Sequence, residues 1–319
     1  MPTSTDALAP VYDAALTGDM VEALARLDAV PAASLTGAQR DIAARIRDRF
    51  GDSRPGIPHH LPPITSSILR AYRDYWRGVM LRKVSAADGE AALLRALNET
   101  LPPSPDLDTA CDAAREAIEA EGLHALTGIT RPYYELMIWR RSTPTRYDVA
   151  LPEQEVGVTV VFLEDFASLG WAAYATGDRS HTGGWATTTE LYAVRQAYDL
   201  ESESFRVSYL AHEGQHFADY ARFPKLDQPE LEYRAKLTEL AVSSATTKAL
   251  LERFAARTGT DRGIPHYFAH HHLVRSLDLG DARLASPDEI RAAARRALAQ
   301  STRELEARGG ATVERWLGD

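Results

Sequence analysis

A single cysteine, Cys111, stands in a chain of 319 residues. One thiol closes no disulfide framework and builds no Cys-based zinc site. No run of 18 apolar residues occurs, so the sequence offers no membrane-spanning helix. Positive charge is also short: 36 Lys and Arg face 45 Asp and Glu, a formal net charge of −9. Without a basic stripe, a nucleic-acid partner is not expected. Met1 to Pro10 lacks both the basic and the apolar part of a leader. As written the chain reads as cytoplasmic, and as periplasmic or secreted if a leader once preceded it. Hydrophobic residues at 45% and charged residues at 25% are ordinary globular values. The length is enough for one full core, and for two.

What is there falls into two textures. Residues 1–124 read as an all-helical region. Ala15 to Asp19 separates two short helices, and Thr36 caps a third running through Arg49. The pattern resembles one tetratricopeptide-type helical hairpin, but no second copy recurs at a fixed period. It is therefore read as a hairpin packed on the next domain. Residues 51–63 hold four prolines and two glycines and read as a strap, in which His59 and His60 are expected to be exposed and inert. Further helices are expected at about 65–83, 86–98 and 106–121. From 125 to 319 the fold class is expected to be α+β. Tyr133–Arg141, Val156–Leu163 and Trp185–Val194 alternate as strands, punctuated by Pro144, Pro152 and Gly157. Asp178–Gly184 reads as a mobile polar loop, with His181 exposed.

The most informative stretch is His212-Glu213-Gly214-Gln215-His216, an HExxH sequence inside the helical run 204–220. On a helix, positions i and i+4 share one face, so His212 and His216 can grip one ion. Glu213 lies beside them as the general base for an activated water. Tyr209, His212, His216 and Asp219 form a polar stripe on an otherwise apolar helix, and buried polar groups need partners. A catalytic zinc takes a third protein ligand. No His follows within the next six residues, Phe217 to Arg222, which removes the metzincin pattern. The lone cysteine likewise removes the peptide deformylase pattern. Past Pro224 and Pro229, residues 230–257 read as one long helix closed by Gly259. It offers Glu230, Glu232 and Glu239. Glu230 reads as a surface charge.

An HExxH helix, a short turn and a second helix carrying glutamate resemble the gluzincins, the thermolysin-like zinc metallopeptidases. Glu232-Tyr233-Arg234-Ala235-Lys236 is similar to the ExxAD box of several such families, and the resemblance covers roughly residues 130–275 at motif level. It implies a zincin-like domain, one Zn²⁺ per chain held by His212, His216 and Glu232, and hydrolysis of a peptide or protein substrate. Lys236 departs from the box, where an Asp normally braces a ligand histidine. Glu239, on the same face, is the candidate for that role. The resemblance also implies a sheet-edge strand before the HExxH helix that pairs with substrate, and an oxyanion donor from a later segment. For the donor, His270 on the expected helix 265–277 is the candidate, with Tyr267 beside it. Residues 286–317 read as polar amphipathic helices capped by Ser286. No GxMEN-like segment anchors a free amine, which favours endo- or oligopeptidase action. Two rivals stand beside this reading. One is a zinc-binding protein without hydrolysis, whose helical amino-terminal half binds a partner. The other is a metal-free helical scaffold.

Overall fold

The computed structural model describes residues 6–51, 56–187, 189–279 and 284–318. Residues 52–55 of the expected strap lie outside the described residues. The chain is α+β and folds as two compact units, 1–142 with 163–183, and 143–162 with 184–319. This division does not follow the expected boundary at 124/125. It falls within two long strands, because the start of one and the end of the other bury their apolar faces among the amino-terminal helices.

The first unit opens with α1 (Ala9–Leu16), α2 (Met20–Ala29) and α3 (Gly37–Phe50). Thr36 and Gln39 form a reciprocal capping box at the start of α3. Then come α4 (Pro63–Met80), α5 (Ala86–Thr100), α6 (Leu107–Ala120) and β1 (His124–Thr130). Helix α4 buries Ile68, Leu69, Tyr72, Tyr75, Trp76 and Met80, a stripe at helical spacing. β2 (Tyr133–Ala150) pairs antiparallel with β1, from His124 opposite Trp139 to Thr130 opposite Tyr133. β3 (Glu155–Leu169) leads into the short α7 (Trp171–Ala175). Glu135, 3% exposed, accepts from the Trp171 amide (2.9 Å) and the Leu136 amide (3.0 Å). A Cβ at Gly170 (φ 92°) would collide with that carboxylate, so glycine is required there. Asp178 pairs with Arg49 at 2.7 Å, so the segment expected to be a mobile loop is anchored where it begins.

Both long strands outrun the sequence expectation. β2 passes through Pro144, which is exposed and needs no ladder amide. The strand order is β1-β2-β3-β5-β4, where β4 is Gly184–Ala186 and β5 is Leu191–Val194. The stretch 185–194, expected as one strand, is thus an antiparallel hairpin. Its reversal is closed by the Thr187 amide donating to the Glu190 carbonyl (2.9 Å) and by Thr187 Oγ1 accepting from the Glu190 amide (3.0 Å).

In the second unit a π-helical turn, Phe205–Ala211, runs directly into α8 (His212–Arg222). α9 (Gln228–Val242), α10 (Thr247–Ala255), α11 (Pro265–Ser276) and α12 (Pro287–Ala307) come after it. The long helix expected over 230–257 is therefore two. Ser243 is extended, and Glu203 accepts from the Ser244 and Thr246 amides, so a carboxylate distant in sequence ends one helix and starts the next. α9 is buried from Pro229 to Ala235 and from Leu237 to Ala241, so it is the unit's central helix. Its Leu237 and Leu240 share one core with Phe254 of α10, Leu273 of α11, and Ile290 and Leu298 of α12. Against the other side of α8, a Cβ at Gly214 would touch Val149, Leu151 and Val156, so the residue between Glu213 and Gln215 is where the helix lies on the β2–β3 turn. Among the described residues no helix is long and apolar enough to cross a membrane.

Candidate metal centre

α8 and α9 bring three sequence-predicted residues together. His212, His216 and Glu232, all buried, offer ligand atoms within 4.8 Å of one another. The two Nε2 atoms lie 3.1 Å apart. Glu232 Oε2 is 3.6 Å from His212 Nε2, and Oε1 is 3.5 Å from His216 Nε2. An ion with tetrahedral bonds of about 2.0–2.2 Å holds its ligand atoms roughly 3.3–3.6 Å apart. The separations are of that size within a few tenths of an ångström, with each imidazole meeting a different oxygen of Glu232. Two imidazole nitrogens and a carboxylate are a donor set that suits zinc. The residues present therefore fit a bound ion.

Glu239 sits behind His212. Nδ1–H donates to Glu239 Oε1 at 2.8 Å, which orients the ring and turns Nε2 toward Glu232. Lys236, where the ExxAD box has Asp, donates to the same Glu239 oxygen at 2.8 Å and lies 3.3 Å from His212 Nδ1. The brace absent at 236 is thus supplied one turn later. His216 is braced differently. Its Nδ1 is buried with no hydrogen-bond partner, and its ring stacks on Tyr220 with centroids 6.2 Å apart.

The field at this spot favours positive charge. Burial would raise Glu232, but hydrogen bonds from His212, His216 and His266 outweigh it and hold the carboxyl far below the usual range. Burial would also raise Glu239, but His212 and Lys236 bring it down to about 2. Burial and Lys236 depress His212, and the two carboxylates more than reverse this, to about 9. Two buried anions around a pair of imidazoles call for a cation.

Glu213 is half-buried beside His212. Burial first, and then the Glu213 charge, push the Tyr198 phenol up to about 12. Tyr209 and Tyr220 also rise, through burial first and Glu213 among the later causes. The Glu213 charge is therefore felt by three phenols, Tyr198, Tyr209 and Tyr220.

A buried polar frame holds the two helices in register. Thr238 donates to Gln215 Oε1 (2.8 Å), and Gln215 Nε2 donates to Asp219 (2.9 Å). Arg234 Nε lies 2.9 and 3.0 Å from the two Asp219 oxygens, and its NH1 donates to Ser301 (2.5 Å) and Thr302 (3.0 Å) on α12. The middle residue of the Glu232–Lys236 box is thus the tie that locks α8, α9 and α12.

Other expectations land elsewhere. His270 is buried, but it does not join the metal group. Its Nδ1–H donates to the Arg257 carbonyl at 2.9 Å, its ring stacks on Phe254, and Nε2 has no partner. Burial lowers its pKa. In that tautomer the neutral ring offers a lone pair, not a proton, at Nε2. Glu230, expected as a surface charge, is fully buried, and both its oxygens accept from Arg262 at 2.7 Å. Its partner is 32 residues downstream, which no local pattern reveals. His59 and His60 are exposed as expected, and His181 is half-buried with Nδ1 on the Thr182 carbonyl at 2.9 Å. Sequence reasoning missed His266, whose Nδ1–H donates to Glu232 Oε2 at 2.7 Å. The only available signal was the crowding of histidines on α11. Comparison of the chain with protein-family models, with curated proteins and with solved structures finds no match.

Proposed function

We propose that the second unit is a zincin-like domain and that the protein is a zinc-dependent peptidase of the gluzincin type. One observation carries the reading: a buried His212–His216–Glu232 cluster whose ligand atoms lie within 4.8 Å of one another, with Glu213 adjacent on the same helix. A zinc ion held by His212, His216 and Glu232 would supply a Lewis acid able to polarise a carbonyl and to lower the pKa of water to about 7. Glu213 takes the proton as water attacks and returns it to the leaving amine. Glu239 holds His212 in the tautomer that keeps Nε2 free to bind. The Asp219–Arg234 tie keeps α8 and α9 at the spacing that the triangle needs. β4, at the edge of the sheet, is where a substrate backbone adds without being read for sequence. The oxyanion is not assigned to His270, because its ring has no proton to donate at Nε2.

The test is elemental analysis and peptide cleavage on the intact chain, purified without chelator. The expected result is about one zinc per chain. Glu213→Gln is expected to keep the metal and lose turnover, since an amide accepts no proton. Absence of zinc, with none taken up on titration, overturns the reading. Zinc bound with no cleavage across a peptide library by the wild-type chain points instead to a non-catalytic metal protein.

A further inference from the structure

His266 lies outside the HExxH helix and outside the glutamate helix, on the first turn of α11. Its side chain is 60% exposed, unlike those of the three metal-binding residues. Even so, its Nδ1 is 2.7 Å from Glu232 Oε2. That ring is not a freely swinging surface group. Four residues earlier, Arg262 grips both oxygens of fully buried Glu230 and donates to the Leu317 carbonyl at 3.2 Å. The Ile264 amide donates to the Asp261 carbonyl at 3.0 Å, and the Gly259 amide donates to the Tyr267 carbonyl at 3.0 Å, closing the turn. The segment that enters α11 therefore holds two glutamates of α9 at once, Glu230 through Arg262 and Glu232 through His266.

We propose that His266 is a positioning residue for the metal centre: it occupies Glu232 Oε2 and leaves Oε1 to the ion. The inference rests on the zinc reading above. A glutamate side chain has several rotamers, and a carboxylate can bind through one oxygen or two. A donor fixed on one oxygen removes both freedoms before the ion arrives, which is how outer groups raise affinity. Exposure makes His266 removable without disturbing the core. The arrangement complements Glu239 behind His212, so two of the three metal-binding residues are braced from outside the triangle, one by an anion and one by an imidazole.

The experiment measures zinc affinity of the full chain by competition with a chromophoric chelator, with urea midpoints as a check on folding. His266→Ala is expected to weaken zinc about 10- to 100-fold, the usual loss for an outer partner. His266→Asn, whose amide N–H sits close to the place of Nδ1, is expected to restore most of it. In a Glu232→Ala background, His266→Ala is expected to cost nothing further, because the group it positions is gone. Wild-type affinity in His266→Ala overturns the proposal. So does a loss that Asn leaves unrelieved, or one that persists undiminished without Glu232. Failure of wild-type protein to take zinc is a different outcome, since it removes the metal reading itself and this inference with it.

Discussion

The two units of this chain are built on opposite plans. Among the described residues, the first unit buries only Thr65, Glu135 and Thr176 as polar side chains, in an interior of Trp76, Tyr72, Ile68 and their aliphatic neighbours. The second buries His212, His216, Asp219, Glu230, Glu232, Arg234, Glu239 and His270 just as deeply. Burying a charge costs several kcal/mol unless it is paired, and replacing such pairs by apolar groups is often neutral or stabilising. Stability alone therefore does not explain the second interior. The proposed metal centre accounts for part of it: Glu232 belongs to the group that could hold an ion and Glu239 holds His212, while Asp219 and Glu230 are paired with Arg234 and Arg262 and tie the helices together.

That contrast is broken most forcefully at Arg234. Arg234→Met keeps the length and most of the volume of the side chain but leaves Asp219 buried and unpaired. The expected loss is about 3–5 kcal/mol by urea denaturation, the penalty for breaking one side of a buried pair. Adding Asp219→Asn is expected to recover much of it. In the first unit an equally shape-conserving change, Leu69→Met, is expected to cost less than about 1.5 kcal/mol, because only packing is disturbed. Equal losses at the two positions would mean that the second interior is held by packing after all.

Legibility divides along the same line. Local rules find what local chemistry decides. Thr36 and Ser286 are read as helix caps directly from the sequence, and the structure completes each as a capping box with Gln39 and Glu289. The His212–His216 pair is visible because i and i+4 share a helical face whatever surrounds them. Glu232 needs the likeness to a known box, since spacing alone leaves three glutamates. The misses depend on distant partners. Nothing near Glu230 announces Arg262, nothing near Ser243 announces the Glu203 carboxylate that ends α9, and nothing near Glu232 announces His266. The π-turn before His212 is also hidden, because seven residues are too short a stretch to show a period different from that of an α-helix. The hairpin at 184–194 reads as one strand because its reversal is closed by Thr187 on Glu190, with no Gly or Pro to announce it.

Glu135, the one buried acid among the described residues of the first unit, sharpens the contrast by its pH dependence. Burial pushes Glu135 up to about 7 from 4.5, although the Trp171 and Leu136 amides oppose the shift. A raised folded pKa means that the native state prefers the protonated carboxyl. Its contribution is complete below about pH 4.5 and is lost as pH rises through about 7. The loss is on the order of 3 kcal/mol at 1.36 kcal/mol per unit. Glu135→Gln keeps an oxygen for the two amides and does not titrate. Stability measured from pH 4 to 8 is thus expected to fall more steeply in the wild type than in Glu135→Gln. Parallel curves would show that Glu135 ionises as readily in the folded chain as in the unfolded one.

The smallest effect tests where the contrast should vanish. Thr36 Oγ1 accepts from the Gln39 amide at 3.3 Å, and Gln39 Oε1 accepts from the Thr36 amide at 2.8 Å. Ser286 repeats the device in the second unit, accepting from the Glu289 amide at 3.3 Å while Glu289 accepts from the Ser286 amide at 2.7 Å. Both caps are at the surface, and neither senses the interior beneath its helix. Thr36→Ala is expected to cost about 1 kcal/mol, the ordinary value of an N-cap hydroxyl. Ser286→Ala should lose a similar amount, and the two should add in the double variant, because the sites share no partners. A markedly larger loss at Ser286 would mean that α12 transmits its end to the Arg234 contacts at Ser301 and Thr302, so that the polar interior of the second unit reaches its surface.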